Sequence, residues 1–262
     1  MRRSRQGYYK AIHKEQNLSY QSVELMELIQ PIRSLMPRIG GKKLYFMIGD
    51  ALQEKALKIG RDRFFKWLGN NDLLIRPKRM YVHTTQSNHR FWIHENLTST
   101  LKLDKPNKLW VSDITYIRTR EGFCYLALIT DAYSRKIVGY DISDSLSLEG
   151  CLRAVKAATQ TASDLTQLVH HSDRGFQYCS YPYTDFLKDR GIRISMTENG
   201  NCYENALAER VNGILKGEFN LDLTFRTKEL AYKAVHESVY IYNQHRPHWS
   251  LGLLTPHEKH AA

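Results

Sequence analysis

Three acidic residues stand at positions that favour chemistry over simple solvation. Asp113 lies inside the apolar, alternating stretch 109–117, which predicts a strand, and an ionised carboxylate there needs a compensating partner. Asp173 ends another predicted strand, two residues before a glycine, where open sheets place their ligands. Glu209 lies on a predicted helix, on a polar face between Leu207 and Val211. These three residues are the candidate catalytic and metal-binding groups.

Each acid also has a structural explanation. Asp113 would be tolerated as a half-exposed residue on an edge strand. Asp173 would be tolerated as a cap of its own turn, and Glu209 as a solvated helix acid. Glu204 competes with Glu209, but a glutamate at the start of a helix is well explained by the helix dipole, so Glu204 is the structural candidate.

The three acids indicate a shared site if the fold brings them together. If the strands of Asp113 and Asp173 are neighbours and the Glu209 helix packs across their ends, the carboxylates repel each other, and their pKa values rise unless cations neutralise them. Two Mg²⁺ ions roughly 3.5–4 Å apart would supply that charge and clamp an in-line phosphoryl displacement. Oxygen ligands suit Mg²⁺ or Mn²⁺ and not zinc.

Hydrophobic patterning predicts the elements that must position these acids. The predicted strands cover residues 109–117, 122–129, 136–142, 167–171 and 192–196. The predicted helices cover residues 147–161, 182–190, 205–219 and 227–244. A short connection at 131–135 suits a hairpin between the second and third strands. The order β-β-β-α-β-α-β-α predicts an α/β fold, a mixed sheet with helices packed on it.

Positive charge is concentrated before this part of the chain. The net charge is +11 overall, and residues 1–100 hold 18 Lys and Arg against 8 Asp and Glu. The predicted helix 61–68 would bury Phe64, Trp67 and Leu68. Its basic side chains would point outward, and they are Arg61, Arg63 and Lys66. A basic helix after a helix and a turn is the arrangement that enters a DNA major groove, although a small helical domain with solvated charges fits as well.

Two further helical stretches precede that basic helix. The first is predicted from about residue 22, with an interruption at Pro31 and an end at Pro37. Its apolar face would consist of Val23, Met26, Leu28, Ile29, Ile32 and Leu35. The second is predicted around Leu44 and Leu52. Residues 81–108 are polar, lack periodicity and predict a linker.

Composition excludes several classes of protein. A hydrophobic fraction of 42 % is too high for a disordered chain. No apolar run approaches the roughly 18–20 residues of a membrane helix. The basic start has no apolar stretch after it, which excludes a secretory signal. Four cysteines without a C-x-x-C spacing favour a reducing, cytoplasmic location over a disulfide scaffold or a structural zinc site.

Five motifs in order resemble those of one protein family. They are WVSDITY (110–116), DAYSRKIVG (131–139), HSDRGFQY (171–178), NGNCYENA with AER (199–206, 208–210) and YNQHRPH (242–248). In these motifs the chain is similar to the OrfB-type DDE transposases of bacterial insertion sequences, relatives of retroviral integrases. Thirty-five residues separate Asp173 from Glu209, which is the D-35-E spacing of that family.

The resemblance implies a ribonuclease-H-like mixed sheet with flanking helices, preceded by a small helix-turn-helix-like domain. The implied domains are a basic DNA-binding region at 1–80, a linker at 81–108, an integrase-type catalytic core at 109–225 and a C-terminal helix and tail at 226–262. An Asp is frequent in the family where Glu204 stands. Such transposases are often made as a frameshift fusion with an upstream segment, so this chain is expected to be the downstream half.

The implied activity is metal-dependent cleavage at the ends of a mobile element. Water attacks a phosphodiester, and the released 3′-OH then attacks a second one, with two Mg²⁺ or Mn²⁺ ions held by the three acids. The expected partners are double-stranded DNA, namely terminal inverted repeats and target, and further copies of the chain. A ribonuclease-H-like nuclease that cuts without joining, and a DNA-binding regulator with an inactive core, are the alternatives.

Additional residues are expected to contact DNA. Lys216 would touch a phosphate near the metals, with an exposed helix lysine as the alternative. His171 and Arg174 flank Asp173 and would either touch DNA or orient the acid. Arg246 and His248 would contact DNA or stabilise a turn, and the sequence does not separate the two roles.

Overall fold

The computed structural model describes residues 5–75, 91–162, 164–198 and 205–262. The chain divides into two compact units, residues 1–78 and residues 79–262. Among the described residues, no helix has the length and apolar character that a membrane span requires.

The first unit is helical. Its helices are α1 (Arg5–Leu35), α2 (Gly41–Met47), α3 (Gly49–Glu54) and α4 (Arg61–Asn70). The interior of the unit is built from side chains of all four helices, including Leu25, Ile29, Leu44, Leu52, Phe64 and Leu68. Burial of these side chains is what holds such short helices in place, because isolated helices of this length are marginal in water.

Helix α1 differs from the sequence-based expectation in length and in its buried face. It starts at Arg5 and continues through Pro31, where an interruption was predicted. Pro31 lies on the exposed side, one turn before the end of the helix, so water can solvate the carbonyl group that the proline leaves without an amide partner. Val23 and Met26 are exposed, and Leu25 is buried in their place.

Helix α4 confirms the predicted basic helix. Phe64 and Leu68 are buried, and Trp67 is half-buried with its Nε1 donating to Ser22 Oγ at 2.8 Å. The basic side chains are exposed, as predicted, and they are Arg61, Arg63 and Lys66.

The second unit contains a five-stranded mixed sheet. Its strands are β1 (Leu109–Thr119), β2 (Gly122–Asp131), β3 (Ile137–Ser143), β4 (Val169–Ser172) and β5 (Arg193–Met196). The spatial order is β3-β2-β1-β4-β5. The first three strands pair antiparallel, and β4 lies parallel to both β1 and β5. The predicted element order and the predicted hairpin between β2 and β3 are confirmed.

Helices cover both faces of this sheet. They are α5 (Leu148–Thr161), α6 (Phe176–Cys179), α7 (Tyr181–Lys188), α8 (Ala206–Glu218), α9 (Lys228–His245) and α10 (Pro256–Ala261). Alternation along β1 separates the two cores, since Trp110 packs with α5 and α7 whereas Leu109 and Val111 pack towards α8. The short helices α6 and α10 were not predicted.

Close packing of α5 on β3 depends on Gly139. A Cβ atom there would lie 2.3 Å from the backbone oxygen of Ala154 and 2.7 Å from the Ala158 side chain. The glycine of the DAYSRKIVG motif therefore allows helix and strand to approach more closely than any other residue would permit.

The described part of the predicted linker packs on the sheet unit. The Leu97 amide donates to Ser195 Oγ at 2.9 Å, and the Met196 amide donates to the Glu95 carbonyl oxygen. Leu97 and Leu101 also pack against the core on the α8 side. An extended segment of this kind has no periodicity, so the sequence did not reveal its burial; residues 76–90 lie outside the described part of the chain.

Candidate active site

Strand pairing brings Asp113 and Asp173 to the same end of the sheet. Strand β1 runs parallel to β4, and Ser112 is paired with Ser172. Asp113 is the next residue after Ser112 within β1, and Asp173 is the first residue after β4, so the two acids lie side by side on neighbouring chain segments. This is the adjacency that convergence of the acids requires.

Two hydrogen bonds fix the carboxylate of Asp113. Its Oδ1 accepts the Ile114 amide at 2.9 Å, and its Oδ2 accepts Asn212 Nδ2 at 2.7 Å. Burial and, after it, the charges of Asp173 and Glu209 together raise the pKa of Asp113 to about 7, against the opposing effect of its two hydrogen bonds. The charged form of Asp113 is therefore disfavoured by its surroundings, and a bound cation would offset that cost.

Asp173 is held by the turn that follows β4. Its Oδ1 accepts the Gly175 amide at 2.9 Å, the turn-capping interaction that the sequence offered as an alternative role. A Cβ on Gly175 would lie 3.0 Å from that same oxygen. The turn thus orients the carboxylate, so capping and a role in the site are compatible.

Helix α8 is attached to β1 by two buried asparagines. Asn205 Nδ2 donates to the Ser112 carbonyl oxygen at 3.0 Å, and Asn212 contacts Asp113 as described above. Glu209 lies between them in the first turn of α8, is exposed, and acts on Asp113 through its charge. Glu204 lies outside the described residues.

The acids share one region without forming a closed metal site. Within the described ranges, no group of three or more His, Cys, Asp or Glu side chains is arranged to hold a metal ion. Asp113 and Asp173 are fixed by strand pairing, whereas the Glu209 side chain extends into solvent.

Comparisons with known proteins agree with this architecture. Two sequence models described as integrase core domain match residues 104–202 and 190–256. The uncharacterized 31 kDa protein of insertion element IS600 from Shigella sonnei is 35 % identical over 257 residues, covering 97 % of this chain and 93 % of that protein. The chain belongs to the insertion-sequence DDE transposases.

Other relatives extend the comparison. The transposase of insertion sequence element IS629 from Shigella sonnei is 34 % identical over 189 residues, which span 72 % of this chain and 63 % of that protein. A solved chain of the simian T-cell lymphotropic virus intasome, in complex with PP2A regulatory subunit B56 gamma, aligns with a TM-score of 0.51. It is 16 % identical and covers 88 % of this chain and 74 % of that chain, so this likeness concerns the fold, which is ribonuclease-H-like.

Lys216 lies on α8 one turn beyond Asn212. Its Nζ is 4.3 Å from the centroid of the Tyr116 ring, and it interacts favourably with the charges of Asp113 and Asp222. Burial lowers the pKa of Lys216. The side chain is therefore half-buried beside Asp113, which differs from the freely solvated lysine considered as its alternative.

The residues flanking Asp173 point into the protein. His171 is fully buried, and its Nδ1 lies 2.8 Å from Ser195 Oγ. Arg174 Nε donates to the Thr197 carbonyl oxygen at 2.7 Å. Of the two roles left open for His171, orientation of the acid fits its burial better than contact with DNA.

A buried ion pair anchors the other end of α8. Arg246 is 1 % exposed and donates from Nε and Nη2 to both carboxylate oxygens of Glu218, at 2.8 and 2.7 Å. His248 Nε2 lies 2.8 Å from Arg246 Nη1. The structure thus favours the stabilising role for Arg246 and His248 over contact with DNA.

Sequence reasoning missed a buried polar cluster around His170 on β4, the strand that precedes Asp173. Ser112 Oγ and Tyr183 OH lie 2.7 and 2.9 Å from His170 Nε2. Burial lowers the pKa of His170 to about 3, so the ring is neutral at ordinary pH. The signal available in the sequence was the pair of adjacent histidines inside an apolar strand, where polar residues need partners.

Proposed function

We propose that this transposase cleaves DNA at the ends of its mobile element and joins the released 3′-OH to a second phosphodiester, with Asp113, Asp173 and Glu209 as its catalytic residues. The observation that carries the proposal is the parallel pairing of β1 and β4, which sets Asp113 beside Asp173 at one sheet end. Glu209 supplies the third carboxylate from α8.

The donor set fits divalent metal ions of the Mg²⁺ type. All three groups offer carboxylate oxygens, which Mg²⁺ and Mn²⁺ prefer. The pKa of Asp113 is raised to about 7, and a cation bound there would offset both the cost of burying the charged carboxylate and its repulsion by the other acids. Two bound ions would activate the attacking oxygen and stabilise the leaving oxygen of an in-line displacement.

The chain's own residues would position the reacting groups. Asp113 and Asp173 would hold the ions between them, each oriented by a backbone amide, and Glu209 would complete one of the two sites. Lys216, half-buried beside Asp113, would contact a DNA phosphate. Arg174 would orient the Asp173 turn through its bond to the Thr197 carbonyl oxygen.

The first unit would provide binding of the element end. Helix α4 exposes three basic side chains, Arg61, Arg63 and Lys66, beside a well-packed core, which suits phosphate and major-groove contacts. We expect terminal inverted repeats and target DNA as partners, at least two copies of the chain on DNA, and an upstream segment supplied by frameshifting as a further partner.

A strand-joining assay tests this proposal. The full fusion protein is incubated with labelled terminal inverted repeats and Mg²⁺ or Mn²⁺, and released and joined strands are resolved by size. Asp113→Asn, Asp173→Asn and Glu209→Gln are each expected to lower the yield of both products by about 10³-fold or more, because loss of one carboxylate ligand disrupts the binding of the two metal ions. Glu237→Gln on α9 serves as the matched control, since that acid is exposed and pairs with Lys233 on the surface.

The outcomes separate the alternatives. Cleaved ends without joined strands would identify a nuclease of ribonuclease-H type. Variants of the three acids that join strands as well as the unmodified protein would refute the metal-site assignment. DNA binding without either product would leave the regulator as the explanation.

A further inference from the structure

A partly exposed aromatic and cationic surface extends from the candidate active site. We name it the aromatic ledge, and it consists of Tyr116 and Arg118 on β1, Phe123 on β2 and Lys216 on α8. Phe123 is 50 % exposed although it occupies a strand, opposite Arg118 in the antiparallel register. The ledge plays no part in the functions assigned above except through Lys216.

Contacts within the ledge hold its rings and charges together. The ring centroids of Tyr116 and Phe123 are 5.4 Å apart with an interplanar angle of 86°. Lys216 Nζ lies 4.3 Å from the Tyr116 centroid, and the Arg118 guanidinium carbon lies 5.7 Å from it. Tyr116 is thus engaged by two cations and one ring edge, and Phe123 remains the ring available to a ligand.

The ledge is linked to the acids through Lys216. The same ammonium group that lies over Tyr116 interacts with the charge of Asp113. Asp222 is the other acid that acts on it. The ledge therefore extends along β1 and β2 from Lys216, the ledge residue that interacts with Asp113, and a ligand on it would lie within reach of two positive charges.

Charge and aromatic character together indicate the class of ligand. A single exposed aromatic side chain needs no explanation, but one flanked by cations beside a phosphoryl-transfer site matches the parts of a nucleotide. Aromatic rings stack on any nucleobase face, and Lys and Arg neutralise phosphates. Inside double-helical DNA the base faces are stacked on one another, so an unpaired base is the ligand that could place its whole face on Phe123.

We propose that the aromatic ledge binds one unpaired nucleotide at the element end, with its base stacked on Phe123 and its phosphate near Lys216 and Arg118. The proposal rests on the proposed function, because it takes DNA as the substrate. Capture of an unpaired base would hold the end open beside Asp113 and Asp173.

A binding experiment on two DNA ends tests the ledge. The full-length protein is titrated, without added divalent metal, with an inverted-repeat duplex whose terminal base pair is either matched or mismatched. The unmodified protein is expected to prefer the mismatched end, and Phe123→Ala should reduce that preference by about tenfold, in line with the loss of one base–aromatic stack. Phe123→Tyr should retain it, because the ring is preserved.

Tyr240→Ala provides the matched control, since Tyr240 is 61 % exposed on α9 and lies outside the ledge. It should leave the preference unchanged. Equal preference in the unmodified protein and Phe123→Ala would overturn the proposal. A change in the oligomeric state of the DNA-free protein on Phe123→Ala, without a change in preference, would also overturn it and identify an interface between copies.

The same experiment is independent of catalysis. If the protein prefers the mismatched end through Phe123 but yields no cleaved strand when Mg²⁺ is added, the proposed function fails and the ledge stands. If strands are cleaved and joined while Phe123→Ala binds both ends like the unmodified protein, the ledge fails and the proposed function stands.

Discussion

Asp113 lies on β1 and Asp173 directly follows β4, two strands joined by backbone hydrogen bonds, whereas Glu209 lies on a helix that side chains attach to the sheet. Both aspartates also accept a backbone amide. Glu209 is exposed, in the first turn of α8. Two acids are therefore placed by the backbone itself, and the third by the docking of a helix.

This difference indicates how the site would assemble. Asp113 and Asp173 are preorganised before any ligand binds. The raised pKa of Asp113 shows that holding its charged form there costs free energy. Glu209, on the helix, is exposed to solvent and would join the two aspartates when bound metal ions provide the positive charge that offsets their repulsion. The contacts that dock α8 are then as important to activity as the acids, and they can be tested separately.

The largest effect is expected at the far end of α8. Arg246→Ala would remove both hydrogen bonds and the opposite charge that Arg246 supplies to the largely buried Glu218 carboxylate, which should lower the free energy of unfolding by about 3–5 kcal/mol. Chemical denaturation of the unmodified and variant proteins measures this loss. The Mg²⁺ dependence of any remaining activity should not change, because the ion pair lies at the opposite end of the helix from Glu209.

Two controls sharpen that prediction. The double variant Arg246→Met with Glu218→Leu should recover much of the stability, since neither charge remains buried. Lys233→Ala breaks an exposed pair with Glu237 and should cost less than about 1 kcal/mol. Equal losses from the buried and the exposed pair would show that α8 is not anchored by Arg246.

Asn212 connects the helix to the strand acids, and its removal should be intermediate in effect. Asn212→Ala deletes the donor to Asp113 Oδ2, so we expect activity to fall by about 10- to 100-fold, as for other residues that orient metal ligands. The Mg²⁺ concentration for half-maximal rate should rise. A variant that loses stability but keeps its metal dependence would assign Asn212 a packing role alone.

Strong local patterns made most of the fold predictable. Alternation along β1, the turn at 131–135 and the helical spacing of α5, α8 and α9 are local signals, and each element was found within a few residues of its predicted bounds. The prediction for helix α1 is wrong because a proline inside a helical pattern favours an interruption, whereas α1 continues through Pro31. Its position on the exposed side, near the end of the helix, depends on tertiary context that a sequence does not display.

The acids of the site were predictable, but their partners were not. Asp113 was recognisable as a polar residue in an apolar strand, and Asp173 by its turn. Their adjacency depends on the pairing of β4 with β1, which are separated in the chain by β2, β3 and α5. The partnership of Arg246 with Glu218 likewise joins residues that no periodicity relates.

The smallest expected effect is on the stability of the metal-free protein at pH 8. It tests most directly the difference between Asp113 and Glu209. Asp113→Asn removes a charge that burial and Asp173 disfavour, so we expect the free energy of unfolding to rise by about 1 kcal/mol. The new amide can donate to Asn212 Oδ1, which is buried without a hydrogen-bond partner among the described residues.

Glu209→Gln should change the stability of the metal-free protein by less than about 0.5 kcal/mol, because that acid is exposed. Thermal unfolding with and without Mg²⁺ completes the test: added Mg²⁺ should raise the Tm of the unmodified protein and not that of Asp113→Asn, since only a state that binds the ion is stabilised by it. Equal stability changes in Asp113→Asn and Glu209→Gln without metal would mean that Asp113 is no more constrained by its surroundings than Glu209. Asp113 and Asp173 could then not be called a preorganised pair that Glu209 joins later.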